Sequence, residues 1–245
     1  MNVILPQATQ GQIGMTGAAG SGKYPVLWLL HGASDDHTIW MRRTSIERYV
    51  SELGLAVVMP SASLSFYQDM AVGPLYGTFI REELPAIARS FFPLSDRRED
   101  NFVAGLSMGG YGAMHVALTD PHRYAAAASL SGVLNIANFV EIDGDPRREA
   151  WAQMIFGEPN PALTGHVADL LAKLDTHSAA GVTLPKLYAC CGRDDYLIEH
   201  SRAFDRKCRE LSIPLKYVEN EGSHDWGYWD RMIQDVLAWL PLPKL

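Results

Sequence analysis

The chain has 245 residues, of which 47% are hydrophobic and 20% are charged, as expected for a globular protein with a sizeable core. A formal net charge of −7, without a dense Lys/Arg run, argues against nucleic acid as a partner. No apolar stretch approaches the roughly 18 to 20 residues that cross a bilayer, so we expect no membrane span.

The N-terminal segment does not have the pattern of a secretory signal. Its first charged side chain is Lys23, and Gln, Gly and Thr residues interrupt the stretch where an apolar core would lie. The three cysteines have no C-x-x-C spacing, so the sequence predicts neither a disulfide framework nor a zinc site. We therefore expect a cytoplasmic protein whose cysteines are packing thiols.

Short apolar runs alternate along the chain with longer amphipathic stretches. The predicted strands cover residues 2–5, 25–30, 55–59, 101–104, 125–130, 186–190 and 215–219. The predicted helices cover residues 45–53, 76–91, 108–118, 199–211 and 228–240. This alternation is typical of a mostly parallel central sheet with helices on both faces, with the first strand as an antiparallel edge. It predicts a single α/β domain over residues 1–245.

About fifty residues, roughly 133–184, separate two of the predicted strands. They carry Gly, Pro and mixed helical patterns, and the segment is long for a crossover connection. We predict a small cap insertion here rather than a second domain.

The sharpest motif is the pentapeptide at residues 105–109, Gly-Leu-Ser-Met-Gly, which fits G-x-S-x-G. It follows a predicted strand and opens a predicted helix, the context in which a strained turn exposes a nucleophilic serine. Glycines flank Ser107 because a side chain on either side would clash with neighbouring backbone. The motif predicts Ser107 as the nucleophile of an α/β-hydrolase.

A serine hydroxyl is a weak nucleophile at neutral pH, so Ser107 requires a histidine base and a carboxylate that fixes the tautomer of that base. In α/β-hydrolases the histidine follows the last strand of the sheet. His224 follows the last predicted strand and precedes the final amphipathic helix. It is the predicted base, whereas His31, which precedes a turn glycine, is interpreted as structural.

The acid is expected after the predicted strand at residues 186–190. Two adjacent carboxylates, Asp194 and Asp195, stand there. One is predicted to face the histidine and the other to be solvated or paired with Arg193. The local spacing leaves open which is which.

Acyl transfer also requires N–H donors that stabilise the developing oxyanion. The N–H of the residue after the nucleophile, Met108, is one expected donor. A predicted strand ends in a glycine turn at residues 29–33, where the N–H of Ala33 can supply the second.

Two other motifs point to different chemistry and are set aside. Residues 17–23 satisfy G-x-x-x-x-G-K, but Tyr24 replaces the Ser or Thr that reaches magnesium, and the segment leads into a strand instead of a helix. The adjacent residues Asp35, Asp36 and His37 have no second cluster that completes a metal site. We therefore predict no cofactor and no metal.

Together the motifs resemble the esterase D family of α/β-hydrolases, and most closely its small tributyrin-esterase-like carboxylesterases. The matching segments are L-L-H-G at residues 29–32 with Trp40 shortly after, G-L-S-M-G-G-Y-G at 105–112, C-G-x-x-D-x-L at 191–197 and H-D-W-x-Y-W at 224–229. The resemblance implies Asp195 as the acid. It likewise implies Ala33 and Met108 as the oxyanion-hole donors.

The resemblance implies a serine carboxylesterase that acts on short acyl esters through an acyl-enzyme. We assign Trp40 and Tyr67 to substrate binding, with the cap and the loop at residues 65–67 shaping the pocket. The family also includes S-formylglutathione hydrolases and acyltransferases, so a thioesterase or acyltransferase using the same triad is the alternative. The glutathione-thioester enzymes typically carry a cysteine after the H-G turn, where this chain has Ala-Ser-Asp. The expected partner is a small-molecule ester. The sequence leaves open whether the chain forms a homo-oligomer.

Overall fold

The computed structural model describes residues 1–10, 13–139, 146–157 and 167–243. Within these residues, seven strands form one sheet in the order β1-β3-β2-β4-β5-β6-β7. Their bounds are Asn2–Ile4 (β1), Val26–Leu30 (β2), Ala56–Met59 (β3), Asn101–Leu106 (β4), Ala126–Leu130 (β5), Lys186–Gly192 (β6) and Leu215–Asn220 (β7). Strand β1 pairs antiparallel with β3, and every other pairing is parallel. The predicted antiparallel edge and mostly parallel sheet are confirmed.

Strands β2 and β3 are apolar along their whole length because both faces of the sheet are covered. In β2, Val26, Trp28 and Leu30 belong to the hydrophobic core on one face, whereas Leu27 and Leu29 belong to the core on the other face. Successive side chains of a strand point to opposite faces, so a strand between two cores needs an apolar residue at every position.

Helices cover both faces of the sheet in the described part of the chain. Their bounds are Ile39–Arg43 (α1), Ile46–Val50 (α2), Tyr76–Thr78 (α3), Leu84–Phe91 (α4), Met108–Thr119 (α5), Ile136–Phe139 (α6), Pro146–Phe156 (α7), Leu170–Ala179 (α8), Ile198–Glu210 (α9) and Trp226–Trp239 (α10). Helices α4, α5, α8 and α9 bury residues in one core, and α1, α2 and α10 in the other. No helix in the described ranges is long and apolar enough to cross a membrane.

The helix predicted over residues 76–91 is interrupted. A π-helical turn at Phe79–Glu83 separates α3 from α4, and the N–H of Leu84 bonds to the carbonyl of Phe79. Pro85 follows directly and has no N–H to donate to the carbonyl of Arg81, so a regular α-helical ladder cannot continue through this point. The amphipathic periodicity of the sequence predicted a helix here, but it did not predict this interruption.

The segment predicted as a cap, residues 133–184, is described except for residues 140–145 and 158–166, which lie outside the described ranges. Helix α8 buries Leu170 and Leu174 in the same core as α5, so it belongs to the helical layer of the sheet. Helix α7 carries Trp151, which donates to the carbonyl of Leu64 at 2.7 Å and packs on Phe66 at a ring-centroid distance of 5.1 Å. Part of the segment therefore contributes to the main body of the fold, and a separate cap stays a prediction.

Candidate active site

Ser107 lies in the sharp turn between β4 and α5. Its backbone has φ 51° and ψ −119°, a conformation that an L-residue rarely adopts. A Cβ atom on Gly109 would lie 2.5 Å from the carbonyl oxygen of His31, so only glycine allows the turn to pack this closely. The geometry is that of a strained turn that presents the Ser107 hydroxyl at the carboxyl end of the sheet.

His224 lies in the loop between β7 and α10 and contacts both partners that the sequence predicts. Its Nε2 is 3.0 Å from Ser107 Oγ, and its Nδ1 is 3.0 and 2.9 Å from the two carboxylate oxygens of Asp195. An ionised carboxylate only accepts hydrogen bonds, so Nδ1 carries the proton and donates it to Asp195. Nε2 is then the acceptor for the Ser107 hydroxyl, as general-base chemistry requires.

The structure separates the two neighbouring aspartates. Asp195 is 2% exposed, and its Oδ1 also accepts the N–H of Leu197 at 2.8 Å. Asp194 is exposed, and its backbone N–H donates to the carbonyl of Gly222. Burial raises the pKa of Asp195, but the hydrogen bond and charge of His224 and the N–H of Leu197 oppose it, and the net pKa lies below the ordinary value. The carboxylate that faces His224 is therefore Asp195, and it is ionised at neutral pH.

The two predicted oxyanion donors lie beside Ser107. Met108 is the first residue of α5, so its N–H has no partner within the helix. Ala33 follows Gly32, on which a Cβ atom would lie 3.6 Å from the Cβ of Ser107, and its N–H donates to no residue in the described ranges. Both N–H groups are therefore available to an oxygen that develops charge next to Ser107.

His31 fixes the turn that carries Ala33. It is 1% exposed, its Nδ1 donates to the carbonyl of Gly32 at 2.7 Å, and its Nε2 accepts the N–H of Ala62 at 2.9 Å. These two bonds define one neutral tautomer. Burial lowers the pKa of His31, which agrees with its structural interpretation.

Trp40 and Tyr67, predicted as substrate-binding residues, occupy a different place. Trp40 is 1% exposed and Tyr67 is 0% exposed, so neither presents a surface to a bound ligand in this structure. Trp40 Nε1 donates to the carbonyl of Leu30 at 3.0 Å, and the Tyr67 hydroxyl donates to the carbonyl of His31 at 2.8 Å. The Trp40 ring belongs to the hydrophobic core on one face of the sheet and the Tyr67 ring to the core on the other, and their polar atoms hold the backbone before Gly32 in place.

Three residues at the site were not assigned a role from the sequence. Tyr196 and Trp229 flank the imidazole of His224, at ring-centroid distances of 4.6 and 4.8 Å. Trp229 Nε1 donates to Ser131 Oγ at 3.1 Å. Two of them fall within the motifs C-G-x-x-D-x-L and H-D-W-x-Y-W, but Ser131 follows β5 and carries no motif. Only the sheet order, which places β5 between β4 and β6, brings it here.

In the two motifs set aside, charged and polar side chains contact nearby residues. Lys23, the last residue of the G-x-x-x-x-G-K segment, pairs with Asp96 at 3.2 Å. Asp36 accepts the N–H and hydroxyl of Thr38 at 2.8 and 2.6 Å, and His37 Nδ1 is 2.9 Å from Ser61 Oγ. Among the residues with described positions, no group of three His, Cys, Asp or Glu side chains could hold a metal ion.

Comparison with known proteins shows the family to which the chain belongs. The model of the Esterase family matches residues 16–240. An acetyl esterase of Caldicellulosiruptor saccharolyticus is 33% identical over 220 residues, which cover 87% of this chain and 82% of that protein. A substrate-bound fluorophosphonate-binding serine hydrolase of Staphylococcus aureus has a TM-score of 0.85 and 35% identity, covering 97% of this chain and 90% of that one. An S-formylglutathione hydrolase of Staphylococcus aureus, solved as the apoenzyme, has a TM-score of 0.81 and 36% identity, covering 97% and 91%. On this match, which spans nearly the whole chain, the protein belongs to the Esterase family of α/β-hydrolases.

Proposed function

We propose that this protein is a serine carboxylesterase that hydrolyses short-chain acyl esters, with Ser107 as nucleophile, His224 as general base and Asp195 as orienting acid. One observation carries the proposal. A continuous series of hydrogen bonds runs from Ser107 Oγ through His224 to the buried Asp195 carboxylate, beside the N–H groups of Ala33 and Met108, which donate to no residue in the described ranges. The Esterase family match and the acetyl esterase relative support an ester bond and a short acyl group.

The reaction follows from this geometry in two steps. As Ser107 Oγ attacks the carbonyl carbon, its proton moves to His224 Nε2, and the carbonyl oxygen takes up negative charge beside the N–H groups of Ala33 and Met108. The imidazolium, stabilised by Asp195, then protonates the departing alkoxide, which leaves as the alcohol and an acyl-enzyme. Water attacks the acyl carbon and gives a proton to His224, which passes that proton to Ser107 Oγ as the bond to the acyl carbon breaks and the carboxylic acid leaves.

A thioesterase of the S-formylglutathione hydrolase type is the second candidate. It is favoured by the solved Staphylococcus aureus relative of that name and by a Paracoccus denitrificans S-formylglutathione hydrolase, 31% identical over 137 residues that cover 47% of this chain. The same triad would serve, because a thiolate leaves the tetrahedral intermediate more readily than an alkoxide. Against it, Ala33, Ser34 and Asp35 stand where the glutathione-thioester enzymes typically carry a cysteine.

Matched substrates separate the candidates. Oxygen esters and thioesters that share the same acetyl, butyryl or octanoyl group should be compared by kcat/KM, with and without an acceptor alcohol. We expect the acetyl and butyryl oxygen esters to be preferred over the octanoyl ester. A clear preference for the thioesters would favour the second candidate, and an ester product formed with the added alcohol would indicate an acyltransferase.

The cytoplasmic location and a homo-oligomeric state stay predictions.

The nucleophile is tested by Ser107→Ala. We expect kcat to fall by on the order of 10⁴ to 10⁶, as in other serine hydrolases that lose the nucleophile, without a change in fold. A fluorophosphonate should label the native chain at one residue, located by peptide mass spectrometry at Ser107, and should not label the variant. Full activity or unchanged labelling in Ser107→Ala would overturn the assignment.

A further inference from the structure

Trp229 lies against the imidazole of His224. It is on the first turns of α10, is 6% exposed, and its ring is perpendicular to the imidazole, with 4.8 Å between centroids. This edge-to-face arrangement is the favourable one for two aromatic rings. Because Trp226 packs perpendicular to Trp229 at 5.2 Å, the indole has little freedom to turn.

The indole is also held at its N–H. Trp229 Nε1 donates to Ser131 Oγ at 3.1 Å inside the protein, and Ser131 is completely buried. Ser131 has φ 51°, a conformation that costs energy for a residue with a side chain, and its own N–H donates to the carbonyl of Cys190 at 2.8 Å. The backbone after β5 therefore keeps a serine hydroxyl at one fixed place.

The Ser131 hydroxyl acts on the catalytic histidine through the indole. Its oxygen accepts the Trp229 N–H, and the Trp229 ring packs on the imidazole of His224. Burial raises the pKa of Asp195, and an interaction with the Ser131 hydroxyl is the smallest of the effects that oppose it and keep that pKa below the ordinary value. The Ser131 hydroxyl thus holds the aromatic side chain that packs on the base.

We propose that Ser131 and Trp229 are a pair of positioning residues that hold the imidazole of His224 in the orientation required for proton transfer from Ser107. The pair rests on the proposed function, since it acts through the triad. The indole packs on the imidazole and fixes its plane, and the Ser131 hydroxyl fixes the indole by accepting its N–H.

The test uses Ser131→Ala, Trp229→Phe and the double variant. Ser131→Ala removes one oxygen, and Trp229→Phe removes the N–H while an aromatic ring remains. Two variants are matched controls. Ser129→Ala removes a buried hydroxyl that has no hydrogen-bond partner among the described residues, and Trp239→Phe makes the same exchange at the far end of α10. If Ser131→Ala does not fold, Ser131→Gly removes the hydroxyl and suits the positive φ.

We expect kcat on a short-chain ester to fall by about tenfold in each single variant, since small displacements of catalytic groups are costly, while KM changes by less than about twofold. The double variant should be no slower than the slower single variant, because residues that act as a unit lose their effect together. The downfield proton resonance of His224 Nδ1–H should be present in the native protein and both controls and broadened in Ser131→Ala.

Two outcomes would overturn this proposal. In the first, Ser131→Ala and Trp229→Phe have the same kcat and the same His224 Nδ1–H resonance as their control variants. The other is a loss of kcat that appears equally in the controls, which would reflect general destabilisation. Failure of the proposed function has a different signature: an active Ser107→Ala variant would refute the triad itself, whatever the behaviour of Ser131.

Discussion

At the scale of single residues, Asp194 and Asp195 have the same chemistry but different surroundings. Asp195 is buried against His224, whereas Asp194 is exposed. Replacing Asp195 with Asn lets the side chain donate to His224 Nδ1, which favours the wrong tautomer, and removes the charge that stabilises the imidazolium. We expect Asp195→Asn to lower kcat by roughly 10² to 10⁴.

Asp194→Asn is the matched control for this prediction. An exposed carboxylate contributes at most about 1 kcal/mol through surface pairing, so kcat should stay close to the native value. Both variants should be assayed after circular dichroism shows the same fold. An Asp194→Asn variant that loses more activity than Asp195→Asn would contradict the assignment.

At the scale of elements, the turn from β4 into α5 depends on glycines that pack against β2. In an exposed helix, replacing Gly with Ala stabilises a protein by up to about 1 kcal/mol. At Gly109 the added methyl group would lie 2.5 Å from the carbonyl oxygen of His31 and 2.7 Å from that of Leu30. We expect Gly109→Ala to destabilise the protein by about 1 to 3 kcal/mol, measured by urea unfolding, because the core there cannot expand without strain.

Gly227→Ala, near the start of α10, is the control for Gly109→Ala. Gly227 is exposed, and the nearest atom to an added Cβ would be Asp225 Oδ1 at 3.2 Å. Its effect on the free energy of unfolding should stay within about 1 kcal/mol, the range of the helix-propensity difference. Equal destabilisation by the two substitutions would show that close packing of the turn between β4 and α5 is not the cause of the loss of stability in Gly109→Ala.

At the scale of the whole molecule, two buried histidines make stability depend on pH. Burial is the main cause that lowers the pKa of His31 and of His200 below the ordinary value of 6.5. Below about pH 6.5 the unfolded chain therefore binds more protons than the native protein, and the free energy of unfolding falls as the pH decreases. We expect urea unfolding to show a continuous loss of stability from pH 7 to pH 5.

The contribution of one histidine is separated by substitution. His200 Nδ1 donates to the carbonyl of Asn135 at 3.0 Å, and glutamine retains an N–H donor without a titrating group. His200→Gln should reduce the slope of stability against pH between 5 and 7. The same exchange at His122, which is exposed, should leave the slope unchanged. A slope that is identical in all three proteins would contradict the role of His200.

The sequence by itself determined the parts of the protein that local chemistry controls. The alternation of apolar runs and amphipathic stretches predicted the seven strands and the helices α2, α4, α5, α9 and α10, because strands covered on both faces are rich in apolar residues. The G-x-S-x-G motif predicted the turn at Ser107, because only glycines fit around so sharp a bend. The strand ends also indicated His224, since the loops at the carboxyl end of a parallel sheet meet at one edge.

Only the tertiary structure decided the features that depend on contacts between distant segments. Spacing alone left Asp194 and Asp195 equivalent, and the family resemblance implied Asp195; the contact itself comes from the turn after β6, where Asp195 faces His224 and the backbone N–H of Asp194 donates to the carbonyl of Gly222. Trp40 and Tyr67 were predicted as substrate-binding residues, yet they are buried in the two cores and donate to the carbonyl groups of Leu30 and His31. Ser131 and Trp229 are distant in the chain and meet because β5 ends beside α10. Which side chains share a hydrogen bond is a property of the packed sheet, since it depends on the order of the strands and the direction of each loop.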